Sequence, residues 1–327
     1  MAWDDDLDAA SILVPVDLIK NSSRITSMTA GGVTLPEDPN PAWNSATTYN
    51  VIGQMVYSPT THKVYANLKS DSSNVNKDPT VLANRENITG VGTFWQEVGP
   101  TNKYAAFDGS TSTRTFAASP LVITIKPGTT LTGFSLIGVD ADSLDVDIKD
   151  SPGGTVIWDL PNKPLEGSAP GDYWEYFYDD FKPLTRYTAS GIDPYRNAEI
   201  TITLTKASGD ISVGMIALGD MRPVGIPQRD ASVDPVDYSY VKTDGFGNTV
   251  VEKRNFATGM SITTKMPKED ANAVLDTVQS ILGTPCVVVG SKGEDYEWLT
   301  VFGLISGRMS PQEYPYVTLS LTVKGMI

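Results

Sequence analysis

Few side chains in this sequence are suited to chemistry, and their surroundings limit what that chemistry could be. The single histidine is His62, in Pro59-Thr60-Thr61-His62-Lys63, which reads as the tip of a hairpin. A Ser–His–Asp triad or a histidine-rich metal site would have to be built on that one ring. A solvated turn residue is the expectation. The single cysteine, Cys286, precedes Val287-Val288-Val289. It is expected as a buried, inert thiol rather than a nucleophile, and one cysteine cannot form an internal disulfide. Asp140, Asp142, Asp145, Asp147 and Asp150 form an acidic run. A calcium loop needs oxygens converging from spaced positions about a glycine. This run has no such glycine and lies partly on the outer face of an alternating strand, so a solvated face is expected. Phosphate loops and metal-ligand spacings are not found. The expectation is a non-enzyme, with no catalytic residue, cofactor or metal.

Two aromatic groups are candidates for binding. Trp43, Tyr49, Tyr57, Tyr65 and Trp95 recur through one short stretch. Exposed, such rings would stack on sugar faces. Buried, they would form the core that so small a unit must build from them. The second group is Tyr173, Trp174, Tyr176, Phe177, Tyr178 and Phe181, dense in rings and without a clean period. Aromatic side chains concentrate at the centres of interfaces, so a subunit contact is expected there.

The elements that must position these residues are mainly β. The 327 residues allow two or three domains, and a 40% hydrophobic content supports a sizeable core. Residues 1–41 read as an N-terminal strand, demoted to an edge by Pro15, and a Pro-rich connector. Residues 42–99 read as a small aromatic β-module with a hairpin at its centre. It runs through Gly99-Pro100 directly into the next unit, a break too short for a flexible linker. Residues 100–220 alternate in short strands, as in Leu144-Asp145-Val146-Asp147-Ile148, and imply a jelly-roll-like β-sandwich. Residues 221–327 imply an α+β domain, an antiparallel sheet with one helix. The helix opens after Pro267, places Ala271, Val274, Leu275, Val278, Ile281 and Leu282 on one face, and stops at Gly283. The last strand, Tyr316 to Lys324, is expected to be free to pair with a neighbouring subunit.

The formal net charge is -14, with 39 acidic against 25 basic residues, which argues against nucleic-acid partners. No apolar run approaches the ~18 residues of a membrane span, and the acidic start lacks the basic region of a signal peptide. Synthesis and folding in the cytoplasm are expected.

The small module resembles chitin-binding-type carbohydrate-binding modules through Trp43, Tyr49, Gly53, Val56, Tyr57, Tyr65, Ala66, Pro79 and Trp95. The order of strands in the middle unit resembles galactose-binding-like domains. The whole layout resembles structural proteins of the tails of tailed bacteriophages. The stretches that carry this are the module, the junction from Val98 to Asp108, and Asp237-Tyr238-Ser239 followed by Asp244-Gly245-Phe246-Gly247-Asn248-Thr249. The C-terminal unit is similar to tail-tube-like ring-forming domains. The resemblance implies a virion component of the tail tip, baseplate or fibre junction. Its partners would be copies of itself in a ring and other tail proteins, with the module displayed outward. The alternative is a carbohydrate-binding adhesin that recognises host surface glycan.

Overall fold

A computed structural model describes residues 9–85, 93–165, 174, 177, 183–243, 247, 249–291, 296–313 and 315–326. The chain is mainly β, with a sandwich, a barrel-like sheet carrying a helix, and a small three-stranded module.

The sandwich packs a six-stranded sheet on a four-stranded one. The first sheet runs Val156–Pro164, Ser143–Lys149, Glu199–Thr205, Leu121–Ile125, Ile25–Ala30 and Val33–Thr34. The second runs Arg186–Tyr195, Leu131–Asp140, Ile211–Gly219 and Thr115–Ala117. Alternation places Leu144, Val146 and Ile148 beside Ile200, Ile202 and Leu204 in one core, as the period-2 pattern requires.

The second body orders its strands Met221–Pro227, Ala10–Leu13, Cys286–Val289, Thr300–Glu313, Tyr316–Gly325, Phe256–Pro267 and Ser232–Asp237. Phe256–Pro267 also pairs with Met221–Pro227, through Ile226 opposite Lys265 and Pro227 opposite Thr264. This closes the sheet on itself. Two edge expectations are therefore corrected. The N-terminal strand has partners on both sides, because it ends at Leu13, before Pro15 can remove a ladder donor. Tyr316–Gly325 is likewise flanked on both sides, so it is not free to pair with a neighbour. Closure removes an edge that would otherwise invite another chain.

The helix is Ala271–Ser280. It buries Val274 and Val278, with Ile281 just beyond its end, but Leu275 and Leu282 are exposed. The buried stripe is narrower than the apolar pattern suggests: those three residues join the barrel core, and Ala271 packs against it partly buried. Gly283, at φ +80°, takes the left-handed conformation that ends the helix.

Sandwich and barrel share a seam. Ile211–Gly219 is buried along its whole length. Ile211, Val213, Ile216 and Leu218 face the sandwich core, while Met215 and Ala217 meet Leu13, Val287, Val289 and Phe302 of the barrel. A strand covered on both faces reads as an unbroken apolar run, and this one does.

Candidate functional site

The module pairs Met55–Ser58, Lys63–Asn67 and Trp95–Pro100 in one antiparallel sheet. Its core is Tyr49, Val56, Tyr65, Phe94 and Trp95, with Trp43 packed against it. Trp95 and Tyr65 are 0% exposed and Tyr49 3%. A ring without an accessible face offers no platform for a sugar, so these three leave the set of stacking candidates. Trp95 lies edge-on to Tyr49 with centroids 5.3 Å apart, and its Nε1 donates to the Lys77 carbonyl at 2.7 Å. Trp43 and Tyr57 remain half-buried and adjacent, the Trp43 amide donating to the Tyr57 carbonyl at 2.8 Å. The Trp43 Nε1 is buried and without a hydrogen-bond partner among the described residues. Burial, then the charges of Glu37 and Asp38, push the Tyr57 hydroxyl pKa above its ordinary value.

The sequence reading did not anticipate the asparagine network beneath these rings. Asn67 and Asn74 are fully buried. The Asn67 amide donates to the carbonyls of Tyr49, Val51 and Lys69 at 2.7–2.9 Å. Asn74 accepts from the Tyr49 amide and donates to Asn67 Oδ1 at 2.9 Å. Buried side-chain amides of this kind replace the backbone pairing that a three-stranded unit cannot supply by itself. The signal was an asparagine ending the strand Lys63–Asn67, where the ladder gives way to loop.

His62 corrects another expectation. It is 8% exposed rather than solvated, with a positive φ of 54°. Its Nδ1 lies 2.8 Å from Glu37 Oε1, and its ring stacks on Tyr104 at 3.9 Å between centroids. Its carbonyl accepts from the Thr101 amide at 2.9 Å. Glu37 also accepts through its carbonyl from the Lys103 amide, and Asp38 Oδ2 accepts from the Asn102 amide, both at 3.0 Å. The Pro-rich connector, the module's hairpin and the start of the next unit are thus tied at one point. Burial and the nearby Glu37 charge push the Tyr104 hydroxyl pKa up. The single histidine works as a structural pin.

Cys286 is buried, and burial pushes its thiol up to about 12, so at neutral pH it carries its proton. The acidic run is engaged in separate places. Asp140 meets Lys206 Nζ at 2.8 Å, Asp142 accepts from the Ala207 amide at 2.7 Å, and Asp150 accepts from the Thr155 amide at 3.1 Å. Among the described residues, no group of three or more acidic, histidine or cysteine side chains could hold a metal. Of the second aromatic group, Trp174 and Phe177 are exposed, and Tyr173, Tyr176, Tyr178 and Phe181 lie outside the described residues.

The strands Tyr240–Thr243 and Thr249–Glu252 form a two-stranded sheet that pairs with no other strand among the described residues. All eight residues of the two strands are exposed. Val241 pairs with Val251 and Lys242 with Val250, so consecutive valines put apolar side chains on both faces. Tyr238 at its base is exposed as well.

No family model matches the sequence, and no curated protein matches it. Parts of the chain are similar to solved carbohydrate-binding modules. CpGH89CBM32-6, produced by Clostridium perfringens, is 9% identical over 34% of this chain and 79% of its own, with a TM-score of 0.24. An F5/8 type C domain from Bacteroides fragilis is 18% identical over 37% of this chain and 80% of its own, with a TM-score of 0.24. Chitosan-binding module 1 of a chitosanase/glucanase from Paenibacillus sp. IK-5 is 17% identical over 36% of this chain and 83% of its own, with a TM-score of 0.21. None of these titles describes a tail protein, and at such TM-scores the likeness assigns no function to this chain.

Proposed function

We propose that this protein is a non-enzymatic assembly protein, a structural component of a phage tail, which joins copies of itself into a ring through the hairpin Tyr240–Glu252. The observation that carries the reading is the hairpin's surface. A two-stranded hairpin alone in water is marginal, yet this one turns Tyr240, Val241, Val250 and Val251 outward, each more than half exposed. Such a patch is explained by a surface that covers it. A copy of the same chain is the partner chosen here, because a hairpin and a barrel presented by every copy allow a repeated, head-to-tail contact that closes into a ring. The phage-tail assignment itself rests on the sequence resemblance. Tag-directed labelling of particles from cells that make the protein tests it. Label on the tail, in several copies per particle, is expected. Label found only outside particles contradicts it.

A second reading is a carbohydrate-binding adhesin that recognises host surface glycan. It is favoured by Trp43 and Tyr57, adjacent rings that keep accessible area. Under this reading Tyr57→Ala abolishes binding to a glycan array at unchanged melting temperature. Under the assembly reading the array shows no specific signal.

A further inference from the structure

The seam between sandwich and barrel holds a cleft of about 360 Å³ whose lining includes Arg114 and Arg186. The Arg186 Nη1 donates across the seam to the Thr300 carbonyl at 2.9 Å. The Arg114 Nη1 donates to Ser212 Oγ at 3.0 Å. Neither guanidinium has a carboxylate partner among the described residues, although the chain carries 39 acidic side chains. Each guanidinium has five N–H donors, and among the described residues each gives one of them to the protein. Burial, with no anion set against it, pulls the Arg186 guanidinium below its ordinary value. If Arg186 were only a staple to Thr300, a neutral donor would do the same work without the cost of a desolvated cation.

The rest of the cleft has a different character. Asn255, Phe256 and Thr258 also line it, and Phe256 is 64% exposed. A loop braced by Asp108, which accepts from the Ser110 amide at 2.8 Å and the Thr113 hydroxyl at 2.7 Å, leads into Arg114. Two guanidinium forks match an oxyanion in bidentate geometry. Hydroxyl and amide groups match a polyol, and an exposed ring matches the apolar face of a sugar.

We propose that this cleft binds a small polyhydroxylated carboxylate, the chemistry of a single acidic sugar residue. The proposal is independent of the assembly reading, because none of the valines of the hairpin lines the cleft. The test is calorimetric titration of the full-length chain with sodium D-glucuronate, D-glucose and inorganic phosphate at matched ionic strength. Glucuronate is expected to bind, with no heat from glucose at the same concentration and weaker binding of phosphate. Arg114→Gln and Arg186→Gln are each expected to weaken glucuronate about tenfold or more, the loss of one charge-assisted contact. Gln at 186 keeps a donor for Thr300. Should Arg186→Gln fail to fold, Arg114→Gln, at an exposed position, carries the test alone. Four results overturn the proposal. They are no glucuronate binding, equal response to glucose, phosphate binding as tightly as glucuronate, or unchanged affinity in a folded Gln variant.

Discussion

The small module and the hairpin Tyr240–Glu252 are both rich in large apolar side chains and use them in opposite ways. The module turns its rings inward. Tyr49, Tyr65 and Trp95 form the centre of a three-stranded unit that has little else to bury. Among the described residues no other strand pairs with the hairpin, and Val241, Val250 and Val251 are exposed. Aromatic density in the sequence therefore marks stability in one region, and β-branched residues leave an exposed apolar surface in the other.

The largest effect is expected from Trp95→Ala. It removes a fully buried ring and its bond to Lys77, and about 3–5 kcal/mol of module stability should go with it. Differential scanning calorimetry would show an early transition, and an unchanged melt would mean the rings do not hold the module. Val274→Asp is expected to cost several kcal/mol, because it places an unpaired charge under the helix. Leu275→Asp, one residue along on the exposed side, should stay within about 1 kcal/mol in chemical denaturation. His62→Ala is expected to cost about 1–3 kcal/mol by leaving Glu37 and Tyr104 without their partner. Limited proteolysis should then cut near Thr101 first, as the module loosens from the body.

A smaller effect concerns pH. Burial raises the Asp108 carboxyl above its usual value of 3.8, outweighing the bonds from Thr113 and Ser110. The folded chain therefore favours the protonated acid. Its contribution is fully present below the ordinary value and is lost as pH rises through the raised one. Asp108→Asn removes that loss. Its melting temperature should fall less than that of the unsubstituted chain as pH rises above 3.8. Parallel curves for the two proteins would contradict the assigned cause.

Much of this fold was legible in the sequence because alternation is a direct record of a half-buried strand. Leu144, Val146 and Ile148 in the sandwich and Val317, Leu319, Leu321 and Val323 in the barrel are buried as their spacing requires. What alternation does not record is which strands become neighbours. The N-terminal strand lies in the barrel and the strand Ile25–Ala30 in the sandwich, so one short stretch of chain serves both bodies. Closure of the barrel rests on two residue pairs at Ile226 and Pro227, which no local pattern announces. At the site level, ring density was visible but exposure was not. The burial of His62 depends on Glu37 and Tyr104, 25 positions before it and on the far side of the module's last strand. That the strands Tyr240–Thr243 and Thr249–Glu252 pair with no other strand among the described residues is not announced by any local pattern.

The contact assigned to the hairpin is tested most directly by sedimentation velocity over a range of concentrations, on the unsubstituted chain and on a Val250→Lys/Val251→Lys variant. Both side chains are more than half exposed, so the variant should melt within about 0.5 kcal/mol of the parent. The account predicts that the parent forms larger species as concentration rises and that the variant remains a monomer throughout. Equal association of the two proteins, or a parent that stays monomeric at the highest concentration reached, would contradict it.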